Sequence, residues 1–325
     1  MKKIKLLVFG GEGYIGRIVQ NELDKVGYTC FSYDNLLYEK YKRRYLRLNK
    51  KRNIIFGDIK DIKKIKKILK NHDYVLILQG LVGDPITKKY PQESIKINEI
   101  YTKNLINTCL ASNIKRLIFV STCSNYGISR NNQIVKEKSP LKPISLYAKS
   151  KVKIEKLLMK KKNKTNKICT VLRFATAYGS SPRMRFDLTV NEFVKTLYDK
   201  KTLEIYDKHT WRPYCHTRDF ARIINMVFNA KKNKVNFQIF NAGSSKNNFT
   251  KLMLAKKIRR FFSKPQIIFL NKSKDMRNYY VNFDKIKKLG FKPSWSLEKG
   301  IKEIIQNLKN KKYKNYQKGN YTIFR

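Results

Sequence analysis

Tyr147 and Lys151 stand four residues apart in the run Tyr147-Ala148-Lys149-Ser150-Lys151, so on a helix both side chains share one face. A phenol with an ordinary pKa near 10 is a poor base at neutral pH. An ammonium beside it favours the phenolate and makes an acid/base pair. Spacing alone is weak evidence here, because the chain has 20 tyrosines and 73 lysines and arginines. A second polar group is Ser121-Thr122-Cys123-Ser124-Asn125-Tyr126-Gly127. It follows an apolar run and so falls at the C-terminal end of a strand. Hydroxyls there can hold a substrate oxygen against a base, or simply cap a polar turn.

The third group is Gly10-Gly11-Glu12-Gly13-Tyr14-Ile15-Gly16. The apolar run Ile4-Lys5-Leu6-Leu7-Val8-Phe9 leads into it, and a helical pattern follows. Strand, glycine turn and helix form the context of a dinucleotide site. Gly10 permits the tight turn, Gly13 lets backbone approach a pyrophosphate at the helix N-terminus, and Gly16 allows close packing. Asp34 ends the next strand-like run, 18 residues after Gly16. A carboxylate there accepts ribose hydroxyls and repels a 2′-phosphate, which favours NAD over NADP. Asn35 and the nearby Lys42, Arg43 and Arg44 blur that choice. A positively charged nicotinamide would add to the effect of Lys151 on Tyr147. A glycine turn without a ligand is the competing reading.

The elements that must position these groups are legible as a pattern. Strand-like runs fall at residues 4–9, 29–33, 53–56, 74–78, 115–120 and 168–173, with helical stretches at 15–26, 62–69, 93–111 and 146–159. This alternation predicts an α/β fold, a doubly wound parallel sheet of Rossmann type. After residue 178 the pattern turns irregular, with Pro182, Pro213, Pro265 and Pro293 as punctuation. We therefore expect an NAD-binding domain over 1–178 with later returns near 214–243. A smaller, interleaved C-terminal α/β substrate domain is expected over 179–308, and a loosely held basic tail over 309–325.

Composition sets the remaining bounds. The chain of 325 residues can bury a sizeable core, and 42% of it is hydrophobic. Lysine and arginine exceed aspartate and glutamate by 73 to 23, a net charge of +50. The lysines are spread throughout, and Asn, Ile and Tyr are abundant, as a lysine-rich coding bias gives. That reading outweighs a dedicated nucleic-acid surface, so nucleic acid is expected to bind only non-specifically. Five widely spaced cysteines without a C-x-x-C pair fit reduced thiols in the cytoplasm. No run of eighteen apolar residues suggests a membrane span, and three histidines show no metal-ligand spacing, so no metal is expected.

Together these motifs resemble the extended short-chain dehydrogenase/reductases, in particular the NAD-dependent nucleotide-sugar epimerase/dehydratase family with its UDP-glucose 4-epimerases. The likeness runs in order over roughly residues 3–305. Gly10, Gly13 and Gly16 match the family's G-x-x-G-x-x-G, with Tyr14 and Ile15 in the turn. Gly57-Asp58-Ile59 matches a segment whose Asp58 and Ile59 would meet the adenine. Gln79, Gly80 and Leu81 stand at a small-residue turn along the cofactor, and Asn98 fits the family's helix asparagine. Thr122, Tyr147 and Lys151 match the catalytic set. Leu172 to Gly179 resembles a substrate strand, but Thr176 stands where asparagine is usual. Trp211 to Asp219 resembles a segment in which Arg212 would clamp a substrate diphosphate. In the variable segment Ser181 to Asp187, Arg183 or Arg185 is expected near phosphate, and Asn191 near the diphosphate or sugar; a basic surface loop is the competing reading.

The resemblance implies a nucleotide-diphosphate sugar as substrate, NAD as cofactor and a homodimer through the helices at 93–111 and 146–159. The family's 4,6-dehydratases carry Asp-Glu directly after the catalytic threonine. Cys123-Ser124 stand there instead, which argues against dehydration. The epimerase-reductases' cysteine and histidine are not in register either. Epimerisation at C4 through a 4-keto sugar is the expected chemistry. The alternatives are a nucleotide-sugar 4-reductase or dehydrogenase, and, outside enzymes, a basic RNA-binding protein on a dehydrogenase scaffold.

Overall fold

A computed structural model describes residues 3–129, 133–270 and 276–313. Its centre is a seven-stranded, all-parallel sheet. Five strands come first in the chain: β1 (Ile4–Phe9), β2 (Tyr28–Asp34), β3 (Ile54–Phe56), β4 (Tyr74–Ile77) and β5 (Arg116–Thr122). The strands Ile168–Phe174 and Gln238–Ala242 complete it. The order across the sheet is Gln238–Ala242, Ile168–Phe174, β5, β4, β1, β2, β3. Chain order reverses between β4 and β1, and the crevice outside their C-terminal ends is where such sheets bind ligands.

The pattern of β1 explains why it is central. Leu6, Leu7, Val8 and Phe9 are all fully buried, as a strand covered on both faces requires. Alternate residues feed different cores. Leu6 and Val8 pack with Val19 and Leu23 of α1 (Tyr14–Asp24) and with Phe220, while Leu7 and Phe9 pack with Ile65, Leu69, Leu105 and Ile154. The helix Leu146–Met159 starts where Ser145 accepts a hydrogen bond from the Ala148 N–H at 3.2 Å, and its buried face is Ala148, Lys151, Val152, Ile154, Glu155 and Leu158.

One expected helix is not uniform. Residues 93–111 divide into Pro91–Ile95, a π-helical turn Lys96–Tyr101, and Thr102–Leu110. Polar tethers fit the wider turn. Thr102 donates to the Ile97 carbonyl five residues back at 2.7 Å and accepts from Gln79 at 2.5 Å.

Beyond residue 178 the chain forms the helix Thr189–Tyr198 and small sheets beyond the C-terminal strand ends. The largest pairs Trp211–His216 with Thr176–Tyr178 and Asn248–Thr250. Helix Leu297–Lys309 ends the described fold. The expected loose tail is corrected at its start: Lys309 closes this helix, and the Tyr313 hydroxyl donates to Ser180 at 2.6 Å and packs edge-on to Phe186. Residues 314–325 lie outside the described residues.

Candidate active site

The C-terminal ends of β1, β2, β3, β4 and β5 surround one cleft of about 410 Å³. Gly10 turns the chain at φ +79, and a Cβ there would meet the Gln79 backbone at 2.7 Å. A Cβ on Gly16 would strike the Gly10 and Gly11 carbonyls at 2.6 Å. Gly13 differs: the protein offers its missing Cβ only the Gly10 carbonyl, at 3.3 Å, and the residue lines the cleft. Gly13 is also the N-cap of α1, with no side-chain cap and no acidic residue in the first turn. This bare backbone at a helix N-terminus fits a dinucleotide's diphosphate.

On the β2 side, Asp34 is held through backbone N–H donors, Leu36 to Oδ1 at 2.8 Å and Glu12 to Oδ2 at 3.0 Å. Burial pushes its carboxyl up to about 6. Asn35 donates to Asp58 at 3.2 Å, and Tyr14, Ile15, Asp58, Ile59, Gln79 and Gly80 also line this part of the cleft. The residues present therefore suit NAD.

Three expected contacts are placed elsewhere. Leu81 is fully buried and does not line the cleft. Asn98 accepts from the Leu81 N–H at 2.8 Å and donates to its carbonyl at 3.0 Å, so it fixes the turn rather than lining the wall. Asn191 is buried too. It accepts from the Gly179 N–H at 3.1 Å and donates to the Tyr14 hydroxyl and the Arg185 carbonyl, each at 2.9 Å. Tyr14 donates in turn to the Gly179 carbonyl at 2.6 Å, so this knot ties the glycine turn to the loop after Thr176–Tyr178. Both asparagines can use all their polarity inside the protein, and a buried amide left unpaired is costly.

Thr122, Tyr147 and Lys151 meet in the same cleft. The Thr122 hydroxyl accepts from the Ser124 N–H at 3.1 Å, which leaves its proton for an oxygen in the cleft. Lys151 is buried and donates to the Val120 carbonyl at 3.0 Å, with its ammonium 4.7 Å from the Phe119 ring centre and 5.8 Å from that of Tyr147. Burial pushes it down to about 8. Burial also raises the Tyr147 phenol well above its ordinary value, and Arg185 is the leading opposing charge. This qualifies the expectation that Lys151 favours a phenolate. Desolvation opposes ionisation of the phenol more than the nearby Arg185 charge favours it.

Thr176 and four arginines line the rest of the cleft. Arg185 is paired with Asp187 through two bonds of 3.1 and 2.6 Å. Arg183 lies over the Tyr38 ring at 4.7 Å. Arg212 rests on the Tyr279 ring at 4.8 Å and donates to the carbonyls of Trp211 and Arg277. Arg277 bridges to Asp84 at 3.2 Å. Sequence reasoning missed Tyr38, Asp84, Arg277 and Tyr279, which carry no local motif. It also left Glu12 unremarked, although a carboxylate inside a phosphate-facing glycine turn was a visible signal.

Cys123 is no candidate nucleophile. It is buried, its thiol donates to the Arg173 carbonyl at 3.2 Å, and burial raises its pKa.

Sheet and cleft together define a dinucleotide-binding α/β enzyme of the extended short-chain dehydrogenase type. Residues 6–243 match the model of the NAD dependent epimerase/dehydratase family, and the chain belongs to that family. A UDP-glucuronate 4-epimerase of Thermodesulfobacterium geofontis is 28% identical over 315 residues, covering 92% of this chain and 94% of the relative. The UDP-glucose 4-epimerase of Thermotoga maritima, solved with UDP-glucose, matches with a TM-score of 0.82 at 25% identity over 94% of this chain and 99% of that one. Pal from Bacillus thuringiensis matches with the same TM-score at 27% identity and the same coverage.

Proposed function

We propose that this protein is an NAD-dependent UDP-sugar 4-epimerase. One observation carries the reading: Thr122, Tyr147 and Lys151 converge on the same cleft as Asp34 and the bare backbone of Gly13. The 4-epimerase activities of the Thermodesulfobacterium and Thermotoga relatives support UDP and the 4-position. Bound NAD supplies reversible two-electron oxidation of one sugar carbon. Gly13 and the first turn of α1 hold its diphosphate, and Asp34 takes its ribose hydroxyls. Thr122 donates a hydrogen bond to the sugar oxygen. Tyr147 moves the proton on that oxygen, and Lys151 with Arg185 supplies the positive field that eases its ionisation. Arg212, with its fork fixed on Tyr279 and two carbonyls, anchors the substrate diphosphate while Thr176 meets the sugar.

The test is interconversion of two 4-epimeric UDP-sugars with catalytic NAD only. We expect turnover without accumulation of NADH and without solvent deuterium at C3 or C5. Stoichiometric NADH formation or consumption would replace the epimerase with a dehydrogenase or reductase.

Cofactor choice gives a second expected outcome. NAD binds more tightly than NADP because Asp34 would confront a 2′-phosphate. A ribose hydroxyl donates better to the ionised carboxylate, so affinity is full above pH about 6 and weakens as pH falls through that value. Calorimetric titration of both cofactors between pH 5 and pH 8 checks this. Stronger NADP binding at neutral pH refutes the assignment.

The homodimer and cytoplasmic residence belong to the same proposal. Exposed Ile95 and Ile100, on the segment beside Leu146–Met159, support the first, and five buried, unpaired cysteines support the second. Nucleic-acid binding, if it occurs, follows from the +50 charge and is non-specific. Among the described residues no helix is long and apolar enough to cross a membrane.

A further inference from the structure

Glu12 sits inside the glycine turn, where a carboxylate is unexpected, and it is only 3% exposed. Its Oε2 accepts from Tyr45 of α2 (Lys42–Leu48), from Arg52 and, at 3.4 Å, from Arg17. Its Oε1 is buried and accepts no hydrogen bond. Glu12 and Tyr45 both line the cleft beside Asp34, and the Glu12 N–H donates to Asp34. Arg17 is further tied to Tyr45 and, at 3.5 Å, to Asn49. Arg43 and Arg44 are exposed on α2 and line none of the cleft. Arg17 and Arg52 do not line the cleft either, but both reach its wall through Glu12, and Arg183 is the lining cation that acts on Asp34.

With Glu12 removed, Arg17, Arg52 and Tyr45 would form a basket of donors aimed at one point. That is the donor set of a phosphate site. It adjoins the carboxylate assigned above to the ribose. We infer that Glu12 sets cofactor specificity by filling, with its own carboxylate, a latent 2′-phosphate site made by Arg17, Tyr45 and Arg52. The inference rests on the cofactor reading of this cleft. It adds that Asp34 alone does not exclude NADP.

The test is calorimetric binding of NAD, NADP, 5′-AMP and adenosine 2′,5′-bisphosphate to the full chain and to Glu12→Gln, Glu12→Ser and Glu12→Ser/Arg52→Leu. In Glu12→Ser the affinity for NADP and for the bisphosphate rises, and the Kd ratio of NADP to NAD falls by at least about tenfold, as removal of a close like charge requires. Glu12→Gln shifts the ratio the same way with the shape of the side chain kept. Adding Arg52→Leu reverses the gain. A ratio unchanged because both cofactors weaken together overturns the inference, since it marks Glu12 as structural. Loss of folding in Glu12→Gln does the same. Failure of the unaltered chain to bind NAD refutes instead the cofactor reading beneath it.

Discussion

Tyr147→Phe folds, binds NAD as before and loses turnover by roughly 100- to 10,000-fold, the usual worth of one general acid/base group. The substitution removes one oxygen lining the cleft and keeps the ring that faces the Lys151 ammonium. The large effect follows from the surroundings of the phenol. The phenol lines the cleft beside Thr122 and Lys151, so proton transfer there depends on a positioned side chain rather than on a stray water. Thr122→Ala costs less, because the Ser124 N–H it caps stays near the site and a water can stand in for the hydroxyl. Turnover of a UDP-sugar beside calorimetry with NAD separates the two effects. Activity of Tyr147→Phe within a few-fold of the parent would remove Tyr147 from the acid/base role.

Arg173→Leu destabilises the protein by about 3–5 kcal/mol, the cost of breaking a buried ion pair by removing one partner. Arg173 and Glu155 each have side chains only 3% exposed and are joined by three bonds of 2.7 to 3.1 Å. Asn125 donates to the same carboxylate at 2.7 Å, and Arg173 reaches the Tyr126 hydroxyl at 3.0 Å. Tyr126 passes on to Asn241 at 2.7 Å. This network adjoins the site along the chain: Glu155 is one turn after Lys151, and Asn125 and Tyr126 come three and four residues after Thr122. Leucine leaves the Glu155 carboxylate buried without its cation. Urea denaturation measures the loss, and a change below about 1 kcal/mol would contradict it. The double replacement Glu155→Leu/Arg173→Met recovers much of the stability, because the lone buried charge is gone.

Local chemistry made much of this protein legible in its residues. The glycine spacing from Gly10 to Gly16 dictates a turn, because backbone sterics act over a few residues. Asp34 follows at the end of a strand whose alternation is visible, and Tyr147 and Lys151 share a face because four residues make about one helical turn. The strands at 4–9, 29–33, 53–56, 74–78, 115–120 and 168–173 correspond to sheet strands within two residues at either end, because runs of buried apolar side chains recur at strand period.

Tertiary packing decided the rest. Asn98 and Asn191 look like ligand contacts in the sequence, yet the turns at Leu81 and Gly179 use up their amide groups. The π-helical turn at Lys96–Tyr101 is followed by Thr102, which accepts a hydrogen bond from Gln79 in the turn after β4, 23 residues away in sequence. Arg277 and Tyr279 reach the cleft from nearly the other end of the chain, without a motif to announce them. The ionisation of Tyr147, Asp34 and Lys151 likewise follows from burial, which no spacing rule contains. Glu12 joins the two levels. Its place in the glycine turn is local, but only the fold brings Arg17, Tyr45 and Arg52 around it, because electrostatic partners are chosen by distance in space and not along the chain.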